Sequence, residues 1–296
     1  MACYDNKKVI LTGATGLIGK EAIQPLLDSG FEIYALTIDE KNTDCGVNWI
    51  NANIFDAENI KRVFESIKPL YLLHFAWVAS GDYLISDVNY ELRDASLNML
   101  KEFHQNGGKR AVMAGTCFEY EFKDTPLKED DKLNPQTVYA KCKNELREKA
   151  QMYCKENDIS FGWGRIFYVY GKNEHEKRLT AHVINSLKNA KEVVINNGDL
   201  LKDYMYTKAI AGAFVKFLDT DIDGCVNICT GQGISLKNYT KLIAKKIGRG
   251  DLLVIKNEST DQPKIIVGDN SRLLDEVGYN IKYSLDEALE EILRED

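Results

Sequence analysis

The chain has 296 residues, 44% hydrophobic and 28% charged, which is enough for a globular protein with a large core and room for two subdomains. A formal charge of −7 excludes a basic nucleic-acid or anionic-membrane surface, so a negatively charged ligand has to be met by a local group of N–H donors and cations. No apolar stretch is long enough to span a bilayer, and residues 1–5 lack the features of a signal peptide, which points to a cytoplasmic protein. The seven cysteines are scattered without metal-site spacing; free thiols and no zinc are expected.

Lys7–Thr12 is a short β-branched run, followed by Gly13-Ala14-Thr15-Gly16-Leu17-Ile18-Gly19 and an amphipathic stretch from Leu17 to Leu27. A strand, a glycine-rich turn and a helix start in that order place bare N–H groups and the positive helix end where a pyrophosphate can sit. The spacing is Gly-x-x-Gly-x-x-Gly, and a tight turn with no ligand has the same appearance. Phe31–Thr37 reads as a second strand and Val47–Ala52 as a third, the latter followed by Asn53-Ile54-Phe55-Asp56. Leu70–Ala76 is continuously apolar and so a buried parallel strand; its His74 reads as a hydrogen-bonded core histidine rather than a catalytic one. Residues 77–90 read as a loop and about 89–105 as a helix.

The apolar run Ala111-Val112-Met113-Ala114 ends at Gly115-Thr116. After a charged loop, Asn134-Pro135 predicts a helix start with Asn134 as N-cap, placing Tyr139 and Lys143 one turn apart on one face. An ammonium beside a phenol favours phenolate, and the Thr116 hydroxyl is placed to bond the same substrate oxygen. Taken alone, such a pair is also what a solvated helix face carries. Residues 159–171 predict another strand, and from 172 the pattern becomes shorter and less regular. Polar runs at 121–131 and 172–177 read as rims of a site. A strand follows at 226–228, and amphipathic helices at 235–247 and 284–294.

The glycine turn, Thr116 and Tyr139-x-x-x-Lys143 together resemble the extended short-chain dehydrogenase/reductases, in particular their nucleotide-sugar branch, over essentially the whole chain. The resemblance implies an α/β fold: a Rossmann-type doubly wound parallel sheet over 1–170, and a smaller α/β substrate-binding lobe over 171–296 from which about 200–230 returns to the main sheet. It implies a catalytic set of Thr116, Tyr139 and Lys143, in which Tyr139 passes a proton, Lys143 holds the nicotinamide ribose and Thr116 fixes the carbonyl oxygen. Cofactor contacts are implied at Gly13, Thr15, Gly16, Leu17, Ile18, Gly19, Thr37, Asn53, Ile54, Phe75, Ala76, Trp77, Tyr139, Lys143 and Ile166. A nucleotide-sugar substrate is implied at Trp77, Cys117, Phe118, Tyr168, His182 and Lys202, and a homodimer through the Tyr139 helix and the helix before it.

Departures from the family pattern narrow the reaction. An acid usually ends the second strand and repels a 2′-phosphate; here the residue is Thr37, with Asp39 and Lys41 beyond, which tilts the cofactor mildly to NADPH over NADH. Leu92 stands where many relatives have Asn. Tyr168 replaces the Asn of Arg165-x-x-Tyr168-x-Tyr170-Gly171, and Lys202 replaces an Arg that meets the diphosphate, keeping the charge without the bidentate fork. Dehydratases of the family follow the Thr with Asp-Glu, whereas here Cys117-Phe118 follow. The run 114–120 is similar to the deoxysugar-forming reductases of the abequose-synthase type. The expected activity is therefore NAD(P)H-dependent reduction of the C4 ketone of a nucleotide-linked deoxysugar. A 4-epimerase with tightly held NAD and a non-catalytic dinucleotide sensor stay open. Leu179–Ile184 resembles the GDP-fucose synthase stretch that carries an epimerising His, but the partner Cys falls at Phe118, and Cys117 is one residue off and turned to the other side. Reduction without epimerisation follows, with His182 at most a substrate contact.

Overall fold

Runs four to seven residues long become the strands of a central parallel sheet in the computed structural model, which describes residues 7–38, 46–258 and 260–294. The first half of the chain gives β1 (Lys8–Thr12), α1 (Gly19–Asp28), β2 (Glu32–Thr37), β3 (Val47–Asn51), α2 (Ala57–Ile67), β4 (Tyr71–His74), α3 (Val88–Gln105), β5 (Arg110–Thr116) and α4 (Val138–Glu156). Next come β6 (Ser160–Ile166), β7 (Tyr168–Tyr170), α5 (Leu179–Lys188), β8 (Val193–Ile195), β9 (Leu201–Lys202), β10 (Tyr204–Tyr206), α6 (Thr207–Leu218) and β11 (Gly224–Ile228). The chain closes with β12 (Ile234–Ser235), α7 (Leu236–Ile247), β13 (Leu253–Ile255), β14 (Ile265–Ile266), α8 (Ser271–Asp275) and α9 (Leu285–Arg294).

The main sheet runs β3-β2-β1-β4-β5-β6-β11, and every neighbouring pair is parallel. Alternate side chains of each strand face opposite sides, so Val9 and Leu11 join α1 and α6 in one core while Ile10 joins α2, α3 and α4 in the other. Strand order reverses between β1 and β4, and there the loops leaving the two strands part to open a crevice at their C-terminal ends. They meet closely at its base: a Cβ on Gly13, whose φ is +67°, would lie 2.8 Å from the Ala76 nitrogen. Only glycine suits that conformation and that approach.

α4 begins later than its sequence suggests. Thr137, not Asn134, is the N-cap, its hydroxyl accepting from the Ala140 N–H at 3.1 Å. Asn134 is held in the loop instead, donating its backbone N–H to the Glu119 carbonyl at 3.0 Å. The remaining strands form small sheets beyond the crevice, β7 with β10, β9 between β12 and β14, and β8 with β13. A single residue, Phe167, separates β6 in the main sheet from β7 in a small one, and β11 returns to pair with β6. Among the described residues no helix is long and apolar enough to cross a membrane.

Candidate active site

The crevice holds a cavity of about 560 Å³. Its floor is the glycine turn, with Gly13, Gly16, Leu17, Ile18 and Gly19 on the wall; its sides come from Phe75–Trp77, Thr116, Tyr139, Lys143 and Ile166. Among the described residues no side chain caps the start of α1, where the Lys20 and Glu21 N–H groups bond back to the Gly16 and Ile18 carbonyls, and a Cβ on Gly19 would lie 2.0 Å from the Gly13 oxygen. A bare, tightly folded turn at a helix N-terminus fits a dinucleotide pyrophosphate. Buried hydrogen bonds fix the turn from behind. Ser96 gives its proton to the Leu92 carbonyl (2.6 Å), so His74 donates Nε2–H to Ser96 (2.8 Å) and accepts from Thr12 at Nδ1 (2.7 Å). Thr12 Oγ1 in turn accepts from the Ala76 N–H at 3.1 Å. Burial, reinforced by the Lys143 ammonium, pushes His74 down to about 3, so it stays neutral and acts as a brace between β1 and β4.

Thr116 ends β5, and Tyr139 and Lys143 lie one turn apart on α4; the three side chains reach the same cavity, and Thr116 and Tyr139 share a hydrogen bond. Tyr139 sits against the edges of two rings, Tyr83 at 5.1 Å and Trp77 at 6.3 Å between centroids, and its N–H donates to the Leu84 carbonyl at 3.1 Å. Burial raises the phenol above its ordinary range, Tyr83 adds to this, and the Thr116 bond opposes it. Lys143 was expected to draw Tyr139 toward phenolate, but burial outweighs any such pull and Tyr139 stays protonated at neutral pH. Lys143 Nζ donates to the Ala114 carbonyl at 2.8 Å and lies 3.7 Å from the Trp77 ring centroid. Burial pushes it down to about 7, against the upward effect of Glu119.

Trp77 is held by a residue that sequence reading missed. Asn89, fully buried in the first turn of α3, accepts from Trp77 Nε1 at 2.8 Å and donates to the carbonyls of Tyr83 (2.6 Å) and Ser86 (2.8 Å). One amide thereby fastens the loop that covers Tyr139. The only hint in the sequence is an amide at the start of a helix that follows an aromatic loop.

Phe118 and Tyr168 line the cavity together, their ring centroids 6.3 Å apart. Thr15, Thr37, Asn53 and Ile54 lie at or just past the ends of β1, β2 and β3, beyond the cavity wall; Asn53 Oδ1 accepts from the Phe55 N–H at 3.0 Å. Asp39 and Lys41 lie outside the described residues. Three expected substrate contacts are not brought to the cavity. Cys117 is turned inward by a short 3-10 turn and buried with Tyr120, Leu127, Phe167, Cys229 and Ile266. Lys202 is buried behind Tyr168, its Nζ 5.6 Å from that ring and donating to the Pro263 carbonyl. His182 points to solvent from α5. The cations that do line the cavity, among the described residues, are Lys143, Lys177 and Arg178, and Arg178 spans its mouth to the Ala79 carbonyl at 3.1 Å. Glu174 lies in the same wall and burial pushes it up to about 7.

A sequence profile of the NAD dependent epimerase/dehydratase family matches residues 9–229. The chain belongs to this family. A family relative, dTDP-6-deoxy-L-talose 4-dehydrogenase (NAD(+)) of Aggregatibacter actinomycetemcomitans, is 24% identical over 235 residues, covering 77% of this chain and 86% of its own. CDP-abequose synthase of Salmonella typhimurium is 23% identical over 97% of each chain. UDP-glucose 4-epimerase of Thermotoga maritima superposes with a TM-score of 0.87 at 21% identity, covering 97% of this chain and 99% of that one, and so shares the family's fold. Within the family's NAD dependent enzymes, the glycine turn described above is the part of this chain that suits the dinucleotide.

Proposed function

We propose that this protein is an NAD(P)H-dependent reductase of the C4 ketone of a nucleotide-linked deoxysugar. One observation carries the reading: Thr116, Tyr139 and Lys143 face the same cavity as the glycine turn. In ketone reduction Tyr139 is the group that gives a proton, and burial leaves it in the protonated form from which that transfer starts. A nicotinamide bound along the turn would supply hydride for the carbonyl carbon. Tyr139 gives its proton to the carbonyl oxygen, Thr116 donates a hydrogen bond to the same oxygen, and the Lys143 ammonium orients the nicotinamide ribose and stabilises the phenolate left behind.

Dehydration has little support. Cys117 is buried away from the cavity and Phe118 is apolar, so no acid and base follow Thr116. Lys177 and Arg178 suit an anionic diphosphate, and two relatives are named for dTDP- and CDP-linked sugars. Thr37 at the end of β2 favours NADPH mildly over NADH. A homodimer through α3 and α4 is also part of the proposal: the two helices pack together and expose Tyr90 and Met152.

The test is incubation of the protein with NADPH and a panel of 4-keto nucleotide sugars in D₂O, followed by NMR of the sugar. The expected result is a C4 alcohol and no solvent deuterium at C3 or C5. Binding without turnover across the panel would favour a sensor, and C4 inversion of an unoxidised sugar by protein that retains NAD would favour an epimerase.

A further inference from the structure

Behind Thr116 and Lys143, on the side away from the cavity, lies a buried ion pair that the reaction as described does not use. Trp163 and Arg165 are two apart on β6 and so share one face, opposite Met113 and Gly115 of β5. Both turn to Glu119, which the 3-10 turn after Thr116 folds back under the strand end. The Glu119 carboxylate is fully buried. Its Oε1 accepts from the Thr116 N–H (2.9 Å) and Trp163 Nε1 (3.0 Å), and its Oε2 accepts from Arg165 Nε (2.7 Å). Gly115 makes the arrangement possible, because a Cβ there would lie 2.1 Å from Trp163 Nε1 and 2.7 Å from Glu119 Oε1. Arg165 is completed by the Tyr120 hydroxyl (2.9 Å) and the Glu129 carbonyl (3.0 Å). A buried pair with this many partners is tolerated, whereas removal of one member leaves an uncompensated charge.

We infer that Glu119 is a positioning residue for the proposed reduction: it fixes the backbone that carries the Thr116 hydroxyl and supplies the negative field that keeps the buried Lys143 an ammonium. The inference rests on the roles given to Thr116 and Lys143 above. Lys143 is surrounded by Trp77 from the β4 loop, the Ala114 carbonyl of β5, Trp163 of β6 with its ring centroid at 6.0 Å, Tyr139 on its own helix and His74 of β4. His74 and Tyr139 are neutral near pH 7, and the charged groups behind Lys143 among the described residues are Glu119 and its partner Arg165, of which Glu119 opposes the downward effect of burial. The Glu119–Arg165 pair is a dipole with its negative end at the Thr116 backbone.

The test is the pH dependence of NADPH affinity by fluorescence titration, which needs no sugar substrate and so stays informative if the sugar assignment is wrong. Affinity is expected to fall on the alkaline side as Lys143 loses its proton. In Glu119→Gln the loss of negative charge disfavours the ammonium, and the alkaline limb moves down by about one pH unit, roughly tenfold weaker binding between the two limbs. Glu119→Asp keeps the charge and leaves the limb in place. Because Glu119→Gln strands the Arg165 cation, the double variant Glu119→Gln/Arg165→Met provides a fold with no unpaired charge, and its limb moves down as well. A limb unmoved in the double variant, an equal shift in Glu119→Asp, or a flat wild-type profile would overturn the inference and leave Glu119 a packing residue.

Discussion

Gly19→Ala tests the dinucleotide site at its tightest point. A Cβ at residue 19 would lie 2.0 Å from the Gly13 oxygen, 2.7 Å from its carbonyl carbon and 3.0 Å from the Ala14 Cα, all backbone atoms of the turn. Reaching ordinary contact at 3.4 Å requires the start of α1 and the turn to separate by about 1.4 Å. Ala22 and Leu26, both fully buried, anchor the rest of the helix, so the shift falls on the first turn and its N–H donors. Overpacking of this kind costs about 1–3 kcal/mol of stability. Losing one hydrogen bond to a charged phosphate costs about 1.5–3 kcal/mol, roughly ten- to a hundredfold in Kd. Titration of NADPH fluorescence, with thermal melts on the same samples, reads both quantities. Gly250→Ala is the control, since nothing lies within 4 Å of its Cβ position, and it is expected to be neutral. A Gly19→Ala protein that binds NADPH within twofold of wild type would refute the reasoning.

Tyr139→Phe is expected to leave NADPH affinity nearly intact and to lower kcat by about 10²–10⁴, measured by single-turnover reduction; a loss below tenfold moves the acid role elsewhere. Thr37→Asp is expected to shift preference toward NADH, whereas a wild-type protein that already favours NADH tenfold in kcat/KM contradicts the reading of the β2 end. Sedimentation at micromolar concentration is expected to show a dimer, and a monomer alone would remove α3 and α4 as an interface.

Much of this was legible in local sequence because it depends on local physics. β1, β4 and β5 announce themselves as apolar runs, and the glycine turn and the Tyr139–Lys143 pair need only spacing along one element. Thr116 could be joined to them because strand ends in a parallel sheet share one edge. Side-chain direction just past a strand end was harder. The 3-10 turn that buries Cys117 and folds Glu119 under Thr116 follows from Trp163 and Arg165, more than 40 residues later in the chain. Lys202 reads as a phosphate-binding cation in its motif, but Tyr168 lies between it and the cavity. Nor does spacing show burial, which sets the protonation of Tyr139 against the direction that a neighbouring ammonium suggests. Asn134 against Thr137 is the milder case: either residue can cap α4, and a backbone bond to Glu119 decides between them.

The one-residue joint at Phe167 bears on how firmly the crevice keeps its width. β6 lies in the main sheet and β7 beyond the crevice, and each is tied to a parallel neighbour, β11 and β10. Two walls joined by a nearly continuous strand cannot swing apart about a linker, because widening the gap would bend a hydrogen-bonded ribbon. The 77–86 segment over the crevice is tied down as well, Asn89 donating to the Tyr83 and Ser86 carbonyls and Arg178 to that of Ala79. The walls therefore hold the spacing between the glycine turn and Tyr139 constant.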